Sequence, residues 1–214
     1  MGLDIRWAEA WVRESARVIA EHRTELIALD RVIGDGDHGE NLDRGFAAVI
    51  AKLDGASPET PADVLRLVAT TLISTVGGAS GPLFGTAYLK GAAAVSGAAE
   101  LDAAALVGML TAARDGVVLR GKAEAGDKTM VDAWTPAVDA ASAAQADGAS
   151  EAAVLEAAAT AAEAGAAATE PLVARKGRAS YLGERAVGHR DPGSQSSALL
   201  LRAAADTAAE AAAS

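Results

Sequence analysis

The chain has 214 residues, enough for one substantial core, and its 29 Asp and Glu against 19 Lys and Arg give a net charge of −10. That balance argues against a nucleic-acid or anionic-membrane partner. Without a single cysteine, disulfides, thiol catalysis and thiolate metal sites are excluded. The first residues read as acidic and amphipathic rather than as a signal peptide, and no run has the length and apolarity of a membrane span, so the expectation is a cytoplasmic protein. Aromatic residues make up only 3% while alanine, the best helix former, is abundant. Runs of alternating β-formers are lacking, which predicts an all-α chain, 1–214, in one domain.

In chain order, Ile5, Val12, Ile19 and Leu26 recur every seven residues and predict one long helix from about Asp4 to Leu29. His22 lies on that stripe and reads as a packed, hydrogen-bonded histidine. A loop follows, Asp30-Arg31-Val32-Ile33-Gly34-Asp35-Gly36-Asp37-His38-Gly39-Glu40-Asn41, and then a second helix to about Leu53. Thr60-Pro61 is a start signal for a third helix, which Gly77-Gly78 stops. A fourth opens at Ser80 and Pro82, Asp102 caps a fifth that runs to about Leu119, and a sixth covers about Thr129 to Ala146 with Pro136 as a kink. Ser150 caps a seventh, a polar and basic loop spans about Arg175 to Pro192, and Ser194 or Gln195 opens the eighth. Eight amphipathic helices with short connections predict an antiparallel bundle or barrel. The glycines and charges collect in its loops.

Asp30, Asp35 and Asp37 stand within eight positions. Like charges that close are costly unless a cation neutralises them, and hard oxygen ligands suit Mg²⁺ or Ca²⁺. Gly34 to Gly39 spells G-x-G-x-x-G, but a helix rather than a strand precedes it, and two aspartates would repel a bare pyrophosphate. An EF-hand would need Glu where Phe46 stands. A solvated turn is the ordinary alternative. Gly77-Gly78-Ala79-Ser80-Gly81-Pro82 leads into a helix whose first amides could bind phosphate, or is a plain turn. Gly116 to Ala123 approaches a P-loop but lacks the final hydroxyl and a preceding strand. Arg175, Lys176 and Arg178 form a basic cluster suited to phosphate or to solvent. The three histidines lack metal-ligand spacing, so a metal site here would be all-oxygen.

These segments together, with Gly121-Lys122-Ala123-Glu124-Ala125-Gly126-Asp127-Lys128-Thr129-Met130, Ala174 to Arg185 and Gly188-His189-Arg190-Asp191-Pro192-Gly193, resemble the nucleotide-binding L subunit family (DhaL) of dihydroxyacetone kinase over essentially the whole chain. The resemblance implies an eight-helix barrel with the nucleotide in the loops at one end. It implies two Mg²⁺ ions on Asp30, Asp35 and Asp37, and ADP or ATP against His38, Gly39, Glu40, Asn41, Ala79, Ser80, Gly121 and Met130, with Met130 on the adenine. Arg178, Asp191, Pro192 and Gly193 complete the implied pocket. It further implies a K subunit that holds dihydroxyacetone, an M subunit that carries a phosphohistidine donor, and contact with a transcription regulator. An ATP-exchanging kinase subunit for another small ketose or polyol, and a nucleotide-loaded regulatory module, are the other readings.

Overall fold

The computed structural model describes residues 2–213. The chain forms α1 (Ile5–Glu21), α2 (Arg23–Ile33), α3 (His38–Asp54), α4 (Pro61–Thr75), α5 (Ser80–Ala94), α6 (Ala103–Gly121), α7 (Val131–Ala146), α8 (Glu151–Ala168) and α9 (Pro192–Ala213). A 3-10 segment, Arg178–Ala186, lies in the connection before α9. Among the described residues the extended pairing is one isolated antiparallel bridge, Leu3 with Leu101. No helix is long and apolar enough to cross a membrane.

The helices begin where local chemistry starts them. Thr60 and Asp63 form a reciprocal capping box around Pro61, and the side chains of Asp102 and Ser150 accept from amides three residues on. Several expectations change, among them the loop from Asp30 to Asn41, whose ends belong to α2, which runs to Ile33, and to α3, which begins at His38. The first long helix is divided at His22, whose backbone leaves the helical region at φ −90°, ψ 6°. His22 does bond to Glu25, at 2.6 Å, but it is partly exposed rather than packed. The last helix begins at Pro192, ahead of Ser194, because proline suits a first helical position and Asp191 accepts from the Ser194 amide.

Taken as one rod, α1 and α2 make eight rods, and sequence neighbours pack side by side from α3 through α9. Helix α9 returns against α1 and closes the ring, where Trp7 and Trp11 donate their indole N–H to the carbonyls of Ala204 and Leu200. The interior is filled by Trp11, Phe46, Phe84, Tyr88 and Trp134, with Trp11 and Tyr88 rings 5.6 Å apart. Small residues let helices approach closely. Gly165 of α8 faces the Asp132 carbonyl of α7, the acceptor that Pro136 cannot serve for want of an N–H, and a Cβ there would collide with it. In an antiparallel succession every second connection falls at one end. The connections α2–α3, α4–α5, α6–α7 and α8–α9 therefore meet there.

Candidate functional site

Those four connections enclose a cavity of about 430 Å³. Helices α3, α5, α7 and α9 all point their N-termini at it, through Asp37 and His38, Ala79 and Ser80, Met130 and Val131, and Asp191 to Gly193. The positive ends of four helix dipoles thus face one space, an arrangement suited to an anion.

On one wall stand Asp30, Asp35 and Asp37, each with one carboxylate oxygen within 4.8 Å of the others. Asp30 is buried at the end of α2, and its Oδ2 accepts from the amides of Asp37 (2.9 Å) and His38 (3.1 Å), which fixes the loop to the start of α3. Gly34 lies so close over the Asp30 carboxylate that any side chain would strike it, and Gly36 turns the loop with φ +76°. Asp35 and Asp37 are exposed to the cavity. Arg178 reaches from the 3-10 segment to Asp35, 2.9 Å away. Three converging carboxylates, one rigidly held, fit a hard divalent cation of the Mg²⁺ class.

His38 links three helices. Its Nε2 lies 2.9 Å from Ser196 Oγ and its Nδ1 lies 3.0 Å from Ser80 Oγ. The Ser196 hydroxyl donates to the Gly193 carbonyl, so it accepts from His38 Nε2–H, and Nδ1 accepts from Ser80. Burial pushes the His38 pKa down to about 4, against the opposing pull of Asp30 and Asp37, so the ring is neutral at pH 7. Asp191 moves the other way. Burial raises its carboxyl to about 7, opposed by the Ser194 bonds, with Asp132 adding to the rise and Lys128 opposing it. Lys128 is fully buried, and its burial depresses its pKa, opposed by Asp191 and Glu170.

Of the residues singled out from the sequence, Asp30, Asp35, Asp37, His38, Ala79, Ser80, Gly121, Met130, Arg178, Asp191, Pro192 and Gly193 line this cavity. Gly39, Glu40 and Asn41 do not. They lie in the first turn of α3, where successive residues fan out at about 100° each. Gly39 packs on the Arg23 carbonyl, and Glu40 is exposed towards Arg23. Asn41 is buried, bonded to Arg44 and close to Gly77. Pro82, Val117 and Ala123 fall in segments that the sequence marks for their glycines, but nothing there marks them, with Leu83, as an apolar wall beside Met130, and Ser196 carries no sequence signal at all. Lys128 also lines the cavity, and its place in the loop before α7 gives no sign of its partners.

Known proteins share this architecture and sequence. The chain is 42% identical over 200 residues to the PEP-dependent dihydroxyacetone kinase ADP-binding subunit DhaL of Escherichia coli, covering 94% of this chain and 95% of that one. It is 41% identical over 208 residues to the ADP-binding subunit DhaL of PEP-dependent dihydroxyacetone kinase 1 of Listeria innocua, covering 97% and 98%. The crystal structure of the dihydroxyacetone kinase of C. freundii in its native form superposes with a TM-score of 0.71 at 26% identity, over 93% of this chain and 34% of that longer one. With the DAK2 domain model matching residues 32–206 as well, the chain belongs to the DAK2 domain family, alongside the DhaL subunits.

Proposed function

We propose that this chain is the ADP-binding subunit of a phosphoenolpyruvate-dependent dihydroxyacetone kinase of the cytoplasm. In this reading a phosphoryl group moves from a phosphohistidine on an M subunit to dihydroxyacetone held on a K subunit, and ADP or ATP stays on this chain as the carrier. One observation supports it above others: three carboxylates and four helix N-termini face a single cavity large enough for a nucleotide. The relatives' printed role as ADP-binding subunits agrees with it.

Asp30, Asp35 and Asp37 would hold two Mg²⁺ ions. The amides opening α5 and that of Gly193 at the start of α9 would take phosphate oxygens, with Ala79, Ser80 and Asp191 to Gly193 as the walls. Met130 would pack on adenine beside Leu83 and Val117, with Gly121 at the edge of the base. Gly39, Glu40 and Asn41 would support the phosphate end from the first turn of α3. Arg178 would leave Asp35 for a phosphate oxygen once a cation takes that carboxylate. The bound cations supply charge neutralisation, which phosphoryl transfer requires more than covalent help from protein groups. The residues that choose the sugar then lie on the K subunit.

The test is to purify the chain in Mg²⁺, challenge it with labelled ATP, denature it and identify the nucleotide released. Stoichiometric ADP that resists exchange is expected. Free exchange would point to an ATP-dependent kinase subunit instead, and absence of any nucleotide would overturn the site.

A further inference from the structure

The connection between α8 and α9 brings Arg178 to within 2.9 Å of Asp35, yet it has little apolar anchorage. Its buried Ala174, Ala179 and Ala186 form a small cluster of their own with Ile33, apart from the main core. Its 3-10 segment is kinked at Gly183 and carries a Tyr181 that is 88% exposed. Something other than hydrophobic burial must fix its course.

Lys128 meets both ends of it. The ammonium lies 3.0, 3.3 and 3.1 Å from the carbonyl oxygens of Thr169, Glu170 and Leu172, where the chain leaves α8. It lies 2.7 Å from the carbonyl of Ala186, where the 3-10 segment ends. Three N–H bonds are thus shared among four carbonyls, from a side chain that is 0% exposed. A buried ammonium without such partners is strongly disfavoured, so the site specifies both the charge and its direction. The backbone of Lys128 is itself left-handed, with φ +62°, an uncommon state for a residue other than glycine. Neighbouring bonds close the same base: Arg175 N–H to the Asp127 carbonyl, Gly188 N–H to the Glu170 carbonyl, and Asp191 N–H to Thr169 Oγ1.

We propose that Lys128 is a positioning residue whose buried ammonium clasps the base of the 169–191 connection and so holds Arg178 over the aspartate cluster, acting on the nucleotide through Arg178. This rests on the cavity being the Mg²⁺–nucleotide site. Although Lys128 lines the cavity, its ammonium is committed to carbonyls and is not free for phosphate.

The experiment is a double-mutant cycle on the full chain, reading Mg²⁺–ADP affinity by calorimetry for Lys128→Met, Arg178→Ala and the pair. Each single change is expected to weaken binding about tenfold or more, and the pair no further than Arg178→Ala alone. Effects that multiply would show Lys128 acting independently and would overturn the proposal while leaving the site intact. An Arg178→Ala variant that binds normally would remove Arg178 from the site and the proposal with it. Should Lys128→Met fail to fold, hydrogen exchange on the unmutated chain decides. The amides of Arg175, Gly188 and Asp191 are expected to be protected and to open together, and exchange at the rate of a free loop would refute the clasp.

Discussion

Asp30 has two separable tasks. Its Oδ2 accepts two amides at the start of α3, and its charge contributes to the three-carboxylate cluster. Asparagine keeps the acceptor and removes the charge, whereas alanine removes both. Asp30→Asn is therefore expected to unfold close to the wild-type denaturant midpoint yet lose Mg²⁺-dependent nucleotide binding. Asp30→Ala is expected to cost a further ~1–2 kcal/mol of stability, and equal stability of the two would refute the division. His38 and Asp191 give opposite pH slopes. The folded His38 pKa, about 4, lies below the ordinary value of 6.5, so the unfolded chain binds the proton more readily. Its contribution is present above pH 6.5 and is lost as pH falls towards 4, up to ~3 kcal/mol. Asp191 rises from 3.8 to about 7, so the folded chain binds that proton more readily, and stability falls as pH rises through the window. Stability profiles in EDTA should then show His38→Gln losing the acid-side fall and Asp191→Asn losing the opposing slope. Unchanged difference profiles would contradict both shifts. Gly39, Glu40 and Asn41 fan around the first turn of α3 and leave the cavity to His38. A contiguous motif on a helix cannot aim all its side chains at one ligand, and the sequence does not say where the helix starts.

At the scale of elements, the caps were readable because their chemistry is local. Thr60-Pro61, Asp102 and Ser150 start helices where their side chains predict. The break at His22 was not, since neither glycine nor proline marks it and Leu26 stays buried beyond it. A strict seven-residue stripe drifts about 20° per heptad on a straight helix, and the break falls before the last of its four apolar residues. The α7–α8 contact offers a clean test. Gly165→Ala places a methyl against the Asp132 carbonyl and Pro136, and is expected to cost ~1–3 kcal/mol in denaturant unfolding. Thr60→Ala removes a capping box at the other end of the bundle and should cost ~1 kcal/mol with nucleotide affinity unchanged. A Gly165→Ala chain as stable as wild type would mean that the helices part there without cost.

At the scale of the whole molecule, an acidic chain gathers its anion site by topology rather than by net charge. Antiparallel rods bring four connections to one end, so four N-termini and the cations Arg120, Lys176 and Arg178 surround one cavity while the net charge stays at −10. The sequence marked those connections by their glycines and charges, and an antiparallel order predicts their convergence. It could not mark partners fixed only by folding. Ser196 lies 158 residues from His38, and the clasp of Lys128 is made with backbone carbonyls that no side-chain pattern records. A calorimetric titration of ADP into nucleotide-free chain, once in Mg²⁺ and once in EDTA, tests whether the cavity is a cation-dependent nucleotide site. One site per chain whose affinity collapses in EDTA, and in Asp35→Ala with Mg²⁺ present, is the predicted result. Binding that ignores both the cation and Asp35 would contradict it.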